Sequence, residues 1–394
     1  MSSFDLIIVG GGMVGLSLAA ALADSELRVA LVDKGEAPVV PSGEFSHRVS
    51  ALNHASDSFL QRIGAWQYRD QSRLTAYREM AVWEKDSFAK IGFNSDGLGV
   101  DYLGHIVENS HLCYALHQRL THATNIQLMY GVAPEKLTVG ERDAWLLLDS
   151  GEPISAPLVV AGDGANSWLR KQAQLPLTFW DYDHHAIVAT VKTEQPHQST
   201  AYQIFSASGP LAFLPLPDPH LSSIVWSLPP SEAQRLTSLP LDEFNKALAS
   251  AFDMRLGLCE TLNAPVALPL TMRYARDWSC DRVVLMGDAA HTIHPLAGQG
   301  VNLGFKDASA LATHLLALQA AHKDLGQRRH LRSYERERKA ETVAMIAAME
   351  GIKRLFSLDI APLKFVRGIG MRGVDELSPL KSLLAKLAIR GVTS

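Results

Sequence analysis

Cysteine is scarce in this 394-residue chain: Cys113, Cys259 and Cys280 are three in all, odd in number and far apart. That excludes a disulfide framework and fits a reducing compartment, and the lack of any CxxC or CxxxxC pair excludes a dithiol redox centre. A charge excess is missing too. The 37 basic and 41 acidic residues leave a formal charge of −4, which argues against nucleic-acid binding. One uncharged run, LIIVGGGMVGLSLAAALA from Leu6 to Ala23, reaches eighteen residues and nominal membrane-spanning length. Glycines divide its centre and no basic n-region precedes it, so neither a membrane span nor a signal peptide is expected. Internal repeats and low-complexity tracts are absent. His291 and His294 have no third partner at metal-site spacing, so no metal is expected. The expected location is the cytoplasm.

What is present is an ordinary globular composition, 47% hydrophobic and 20% charged, in a chain long enough for two or three domains. FDLIIVG is a continuous apolar run, as in a parallel strand buried on both faces. MVGLSLAAALAD is alanine-rich and helical, and RVALVD is a second buried strand, which completes a βαβ unit. At its turn stand Gly10, Gly12 and Gly15 in GxGxxG spacing. The first glycine permits the tight turn, the second lets a pyrophosphate reach the backbone, and the third lets the helix pack on the strand. The helix N-terminus offers N–H groups to the phosphates. Asp33 ends the next strand, eighteen residues after Gly15, where a carboxylate would accept a ribose hydroxyl. A bound adenine dinucleotide follows, FAD or NAD.

Further along, an alternating section from about Leu103 to Arg170 ends in the strand and turn PLVVAGDG. Between Asp183 and Pro230 the texture changes to short β-branched and aromatic runs separated by proline, glycine and polar clusters. These predict an antiparallel sheet with one exposed face. His184-His185 is expected to start a strand, and Trp180, Tyr182 and the run Phe213 to Pro217 are expected in the core. RVVLMGDAAH returns to buried-strand texture, and a long helix begins near Val301. The expected division is a discontinuous dinucleotide domain over 1–75, 100–175 and 276–345, a β-rich substrate domain over 76–99 and 176–275, and a C-terminal helical segment over 346–394. That last stretch holds eight basic and three acidic residues from Gly351 onward. It is expected as a solvated helical cap or oligomer contact, with anionic lipid as the sharper alternative.

Two more strand-end turns carry chemistry. GDGANSWLR spans Gly162 to Arg170, and GDAAHTIHPLAGQGVNLGFKD spans Gly287 to Asp307. Strand ends that face one crevice are where such a fold holds its ligand. Asp288 can accept a ribitol or ribose hydroxyl, and N–H groups around Gly300 to Asn302 can bond an electron-rich ring edge.

The three motifs in this order resemble those of the class A flavoprotein aromatic hydroxylases, the family of para-hydroxybenzoate hydroxylase. RVSALN (Arg48 to Asn53), GHIVEN (Gly104 to Asn109) and the two GD stretches are similar to the ubiquinone-biosynthesis hydroxylases. Among these, Leu177 to His197 most resembles the 2-octaprenylphenol hydroxylase. The resemblance implies an α/β fold with a Rossmann-type FAD domain, an inserted antiparallel substrate sheet and C-terminal helices. It implies FAD held by Gly10, Gly12, Gly15, Asp33, Arg48, Asn109, Asp163 and Asp288, with Pro295, Gly298, Gln299, Gly300, Val301 and Asn302 around the flavin ring. Asp33 stands where many relatives carry glutamate, which keeps the carboxylate.

By the same resemblance, NAD(P)H or another donor reduces the flavin, O2 gives a hydroperoxyflavin, and its distal oxygen attacks a prenylated phenol. No triad or carboxylate pair is required, so no catalytic side chain is assigned beyond Pro295 and Gln299 as ring-lining candidates. Other ubiquinone-synthesis proteins and the inner-membrane surface of a bacterium are implied partners, and the oligomeric state is left open. Two rivals stand beside this reading: a flavin oxidase or dehydrogenase of a small substrate, and a non-catalytic prenyl carrier on the same fold.

Overall fold

Four apolar residues without a polar break, Leu6–Val9, must be buried on both faces, and a computed structural model of the chain places them in the middle of a six-stranded sheet. The structure describes residues 2–41, 43, 45–88, 90–293, 299–357 and 367–368. The sheet order is Ser279–Cys280, Val283–Leu285, Leu158–Ala161, Leu6–Val9, Val29–Asp33 and Ile126–Tyr130. All pairs are parallel except the hairpin formed by the first two strands. The helix Met13–Ala21 is buried from Gly15 through Ala20, so it is apolar all round rather than amphipathic. With the helices Asn109–Leu120 and Gln299–Ala320 it closes one core around this sheet.

The section from Leu103 to Arg170 departs from simple alternation. One helix is followed by five strands: the first and last join the parallel sheet, and the middle three form a separate sheet with Ser2–Ser3. Short strands such as Ala144–Leu148 alternate buried and exposed residues, a period the longer run of apolar letters conceals.

The second large sheet joins Glu79–Glu84 and Lys90–Asn94 to strands from the segment between Leu177 and Ala275, with His291–Thr292 at its far edge. It is antiparallel apart from one parallel pair, Thr200–Ser206 with Glu79–Glu84. Strand periodicity sorts its faces. Trp83, Ile187, Ile204, Phe213 and Trp226 pack outward against Phe244, Leu248 and Phe252 of the helix Leu241–Ala251 and its flank. Their neighbours Ala201 and Leu214 pack inward against Ala51 and Ile106 of a small three-stranded sheet. Both faces are therefore covered, and the expected exposed face is corrected. The polar letters of its strand Leu221–Leu228, Ser223 and Ser227 on the inner side and Ser222 on the outer, are buried rather than solvated.

Strand Leu177–Thr193 also starts earlier than His184, because a register shift between Asp181 and His184 lets pairing continue across the break. Upstream of that shift Phe179 and Trp180 are 69% and 40% exposed, so Trp180 is not core, whereas Tyr182 and Phe213 are buried. The last described helix, Arg328–Ser357, runs back along Gln299–Ala320 and ends beside the large sheet. Of the C-terminal segment beyond it, only Arg367 and Gly368 fall within the described residues.

Candidate active site

Three strand ends of the parallel sheet meet at the glycine turn. Gly10 has φ +111°, and a Cβ there would lie 2.3 Å from the Gly162 carbonyl oxygen, so only glycine lets the two turns touch. A Cβ on Gly15 would lie 1.9 Å from the Gly10 oxygen, which is the close helix–strand approach the spacing predicts. Gly12 differs from both. No heavy atom lies within 4 Å of its Cβ position, and the space beside it belongs to a cavity of about 480 Å³. Gly10, Asp33, Gly162, Asp163 and Trp168 share that cavity. Open backbone at the start of a helix, facing a carboxylate across the cavity, fits the pyrophosphate and ribose of an adenine dinucleotide.

Asp33 accepts from Gly11 N at 2.5 Å and Gly35 N at 2.6 Å, which fixes its carboxylate at the cavity rim. Asp163 is committed locally: Ser167 Oγ donates to one oxygen at 2.5 Å, and Trp168 N and Leu169 N to the other at 2.7 and 3.1 Å. It caps the short helix Trp168–Gln172, so the turn offers a cofactor its backbone and shape.

The second corner is built around Gly287 and Asp288. Gly287 has φ +57° and sits 3.2 Å, from its would-be Cβ, against Val14 of the first helix. Asp288 is exposed between the buried Gly287 and Ala289, yet protein surrounds its carboxyl closely. That enclosure raises its carboxyl pKa, and His291, Arg273 and Arg48 draw it back down. Arg48 thus acts on Asp288 from 240 positions away in sequence. Asn109 N donates to the Arg48 carbonyl at 3.0 Å and its Oδ1 accepts from Ser50 Oγ at 2.6 Å, so these two predicted residues are neighbours.

Gly300, Val301 and Asn302 lie in the first turn of Gln299–Ala320, where backbone N–H groups have no intrahelical partner. The Asn302 side chain is otherwise engaged. Its Oδ1 accepts from Asn53 N at 3.0 Å and Ser56 Oγ at 2.7 Å, and its Nδ2 donates to Ala51 O at 2.9 Å. It ties the helix start to the strand Val49–Asn53. Pro295 and Gly298 lie outside the described residues, as does the Gln299 side chain.

Several supporting residues escaped sequence reading. Asp307 is fully buried and accepts from Gly287 N at 2.9 Å, His291 Nε2 at 2.6 Å and Arg338 Nε at 2.7 Å. Burial alone would raise its pKa; the charges and hydrogen bonds of His291 and Arg338 outweigh that and hold it below the usual carboxylate range. Arg338 also pairs with Glu341, which Lys306 bonds in turn. His291 is therefore a partner of Asp307. Arg170 is buried and donates to Ala289 O at 2.7 Å and Ala165 O at 3.0 Å, which joins the two GD turns. Glu108 accepts from Arg73 Nε at 2.5 Å and Ser46 N at 2.6 Å, steadying the approach to Arg48. Only one signal pointed to any of these: Asp307 is an acid set among the apolar helix positions Phe305, Ala308 and Leu311.

With the geometry in place, comparison with known proteins adds identity. The FAD binding domain family matches residues 3–348. The chain is 34% identical to the ubiquinone biosynthesis monooxygenase COQ6 of Rattus norvegicus over 438 residues, covering 99% of this chain and 91% of that one. It is also 34% identical to the 3-demethoxyubiquinol 3-hydroxylase of Escherichia coli over 386 residues, covering 98% of each. Among solved structures, p-nitrophenol 4-monooxygenase PnpA from Pseudomonas putida superposes with a TM-score of 0.80 at 18% identity over the whole of both chains. PqsL of Pseudomonas aeruginosa does so with 0.79 at 20% identity, covering 94% of this chain and all of that one; these two show the shared fold. The chain belongs to the FAD binding domain family, on the branch of the flavin-dependent hydroxylases of ubiquinone biosynthesis.

Proposed function

We propose that this protein is a FAD-dependent monooxygenase that hydroxylates the aromatic ring of a polyprenylphenol during ubiquinone synthesis. The observation that carries the reading is that Gly10, Asp33 and Asp163, from three separate segments, line one cavity that accepts a dinucleotide, with Asp288 under the charge of Arg48 at a further strand end. FAD, when bound, supplies two-electron activation of O2, with NAD(P)H or another donor as the source of electrons. The protein's own residues bind and orient. Gly12 admits the pyrophosphate, Asp33 and Asp288 accept sugar or ribityl hydroxyls, Arg48 offsets phosphate charge, and the turn Gly300–Asn302 presents N–H groups to the ring edge. On this reading the inner face of the large sheet, where Ala201 and Leu214 pack against Ala51 and Ile106, would roof the flavin and exclude water that diverts the oxidant.

The likeness of Leu177 to His197 favours 2-octaprenylphenol as the substrate. We further propose a cytoplasmic protein that works peripherally at the inner membrane of a bacterium, where its prenylated substrate resides. The test is rescue of bacterial strains that each lack one ring hydroxylase of ubiquinone synthesis, with quinones and intermediates read by mass spectrometry. Restored ubiquinone in the 2-octaprenylphenol-accumulating strain alone, lost again with Asp288→Ala, is the expected result. Failure by a soluble, yellow protein in every strain would move the substrate to another phenol, and failure by a colourless one would favour a prenyl carrier.

A further inference from the structure

The long helix Arg328–Ser357 ends against the large sheet, where no cofactor contact explains it. Strand alternation puts Trp83 and Ile204 on the helix-covered outer face, so their neighbours Glu84 and Phe205 belong to the inner face that looks toward the strand Val49–Asn53. Three contacts carry the helix end and the chain after it across that face. Lys353 Nζ donates to Tyr182 O at 3.1 Å and lies 4.6 Å over the Tyr182 ring. Phe356 stacks on Phe205 with centroids 4.3 Å apart. Arg367 donates from Nη1 to Leu355 O at 2.6 Å and forms an ion pair with Glu84 whose side chains are only 3% and 4% exposed. The next residue, Gly368, has no room for a side chain, since a Cβ would lie 2.6 Å from the Phe88 ring.

A buried ion pair between residues 283 apart is weak support for stability and strong support for register, because a misplaced charge there has no partner. Ile352 and Leu355, on the same helix end, remain 37% and 50% exposed and offer apolar surface. The helix end is linked to the candidate site through the sheet. The Tyr182 strand pairs with Val266–Ala275, whose other neighbour is His291–Thr292 beside the second GD turn.

We propose that the Glu84–Arg367 pair is a latch that fixes the helix end across the sheet, so that Phe205, Phe356, Ile352 and Leu355 form the wall along which the substrate's polyprenyl tail lies. The inference rests on the hydroxylase reading and assigns tail recognition to a region far from the flavin motifs. Glu84 and Arg367 are positioning residues: they touch neither ring nor cofactor and set how well a long tail is held. A phenol with one prenyl unit does not reach the wall and is indifferent to the latch.

The test uses full-length, FAD-loaded protein, chemically reduced and then mixed with O2 and either a one-unit or an eight-unit prenylphenol in detergent micelles. Hydroxylated product is quantified by mass spectrometry. Arg367→Ala is expected to raise the half-saturating concentration of the eight-unit phenol about tenfold and leave that of the one-unit phenol unchanged, at equal flavin content. The exchanged pair Glu84→Arg with Arg367→Glu, a safeguard against misfolding, is expected to recover most of the loss. An equal effect on both phenols, or on neither, would overturn the latch while leaving the hydroxylase reading intact. A yellow wild-type protein that hydroxylates neither phenol would overturn that reading and the latch with it.

Discussion

The two halves of the crevice are made in different ways. The dinucleotide corner is built from backbone: Gly10 and Gly15 stand where a Cβ would collide, Gly287 holds a positive φ, and Gly12 stands where a Cβ would meet nothing. The roof is built from side chains, sorted by strand register and brought in from segments far apart. Backbone sites need particular residue types at fixed spacing, whereas side-chain sites need only that a residue fall on the correct face. The first should therefore fail abruptly on substitution and the second gradually.

The sharpest way to break this contrast lies within one motif. Gly15→Val places carbon on the Gly10 carbonyl and is expected to prevent folding, read as loss of the cooperative thermal transition. Gly12→Val is expected to leave the transition within a few degrees of wild type yet yield colourless protein, because its side chain enters only the cofactor's space. If both variants behave alike, the two glycines do not have separate roles.

Next in size is Asp307→Ala, which leaves His291 and Gly287 N buried without their acceptor and Arg338 with Glu341 alone. Its expected cost is about 3–5 kcal/mol in denaturant unfolding. Acid probes the same network in the wild type. Asp307 and Glu341 both have folded pKa values held below the ordinary 3.8 and 4.5. For each, burial acts in the raising direction, and paired cations and hydrogen bonds outweigh it. A depressed carboxylate stabilises fully above its unfolded pKa and loses that stabilisation as pH falls through the folded value. The contribution of these carboxylates should thus be flat from neutral pH to about 5 and fall steeply below about 4, with Asp307→Ala flattening the acid limb. An unchanged acid limb would remove Asp307 from the network.

Asp288→Ala should act on the cofactor alone. Losing a charged acceptor costs about 1.5–3 kcal/mol, or roughly 10- to 100-fold in FAD affinity, measured by titrating apoprotein through flavin fluorescence. Full retention of affinity would take Asp288 out of the site. The smallest effect is expected at Phe179, 69% exposed upstream of the register shift. Phe179→Ser should change stability by no more than about 0.5 kcal/mol, and a larger loss would show the aromatic covered in solution.

The same contrast explains what the sequence disclosed. Gly10, Gly12, Gly15 and Asp33 were legible because a buried parallel strand, a glycine turn and a helix are local and leave fixed spacing. Asp288 was legible from its strand-end turn, whereas Arg48 and Asn109 were legible only through family likeness, since nothing local brings Arg48 to Asp288. Asp307, Arg170 and Arg338 were hidden because their partners lie 20, 119 and 31 positions away. In the large sheet, polar letters suggested solvent where Ser222, Ser223 and Ser227 are buried, and the break near Asp181 concealed where the strand begins. Alternation shows that a strand has two faces, but what covers each face is a tertiary fact.

The most direct measurement is oxygen isotope transfer in a single turnover. FAD-loaded protein is reduced chemically, mixed with ¹⁸O₂ and 2-octaprenylphenol, and its products are weighed by mass spectrometry. A ring-hydroxylated phenol carrying one ¹⁸O atom, lost in Asp288→Ala, is the predicted result. Reoxidation that releases all of the oxygen as hydrogen peroxide, with the phenol unchanged, would contradict it.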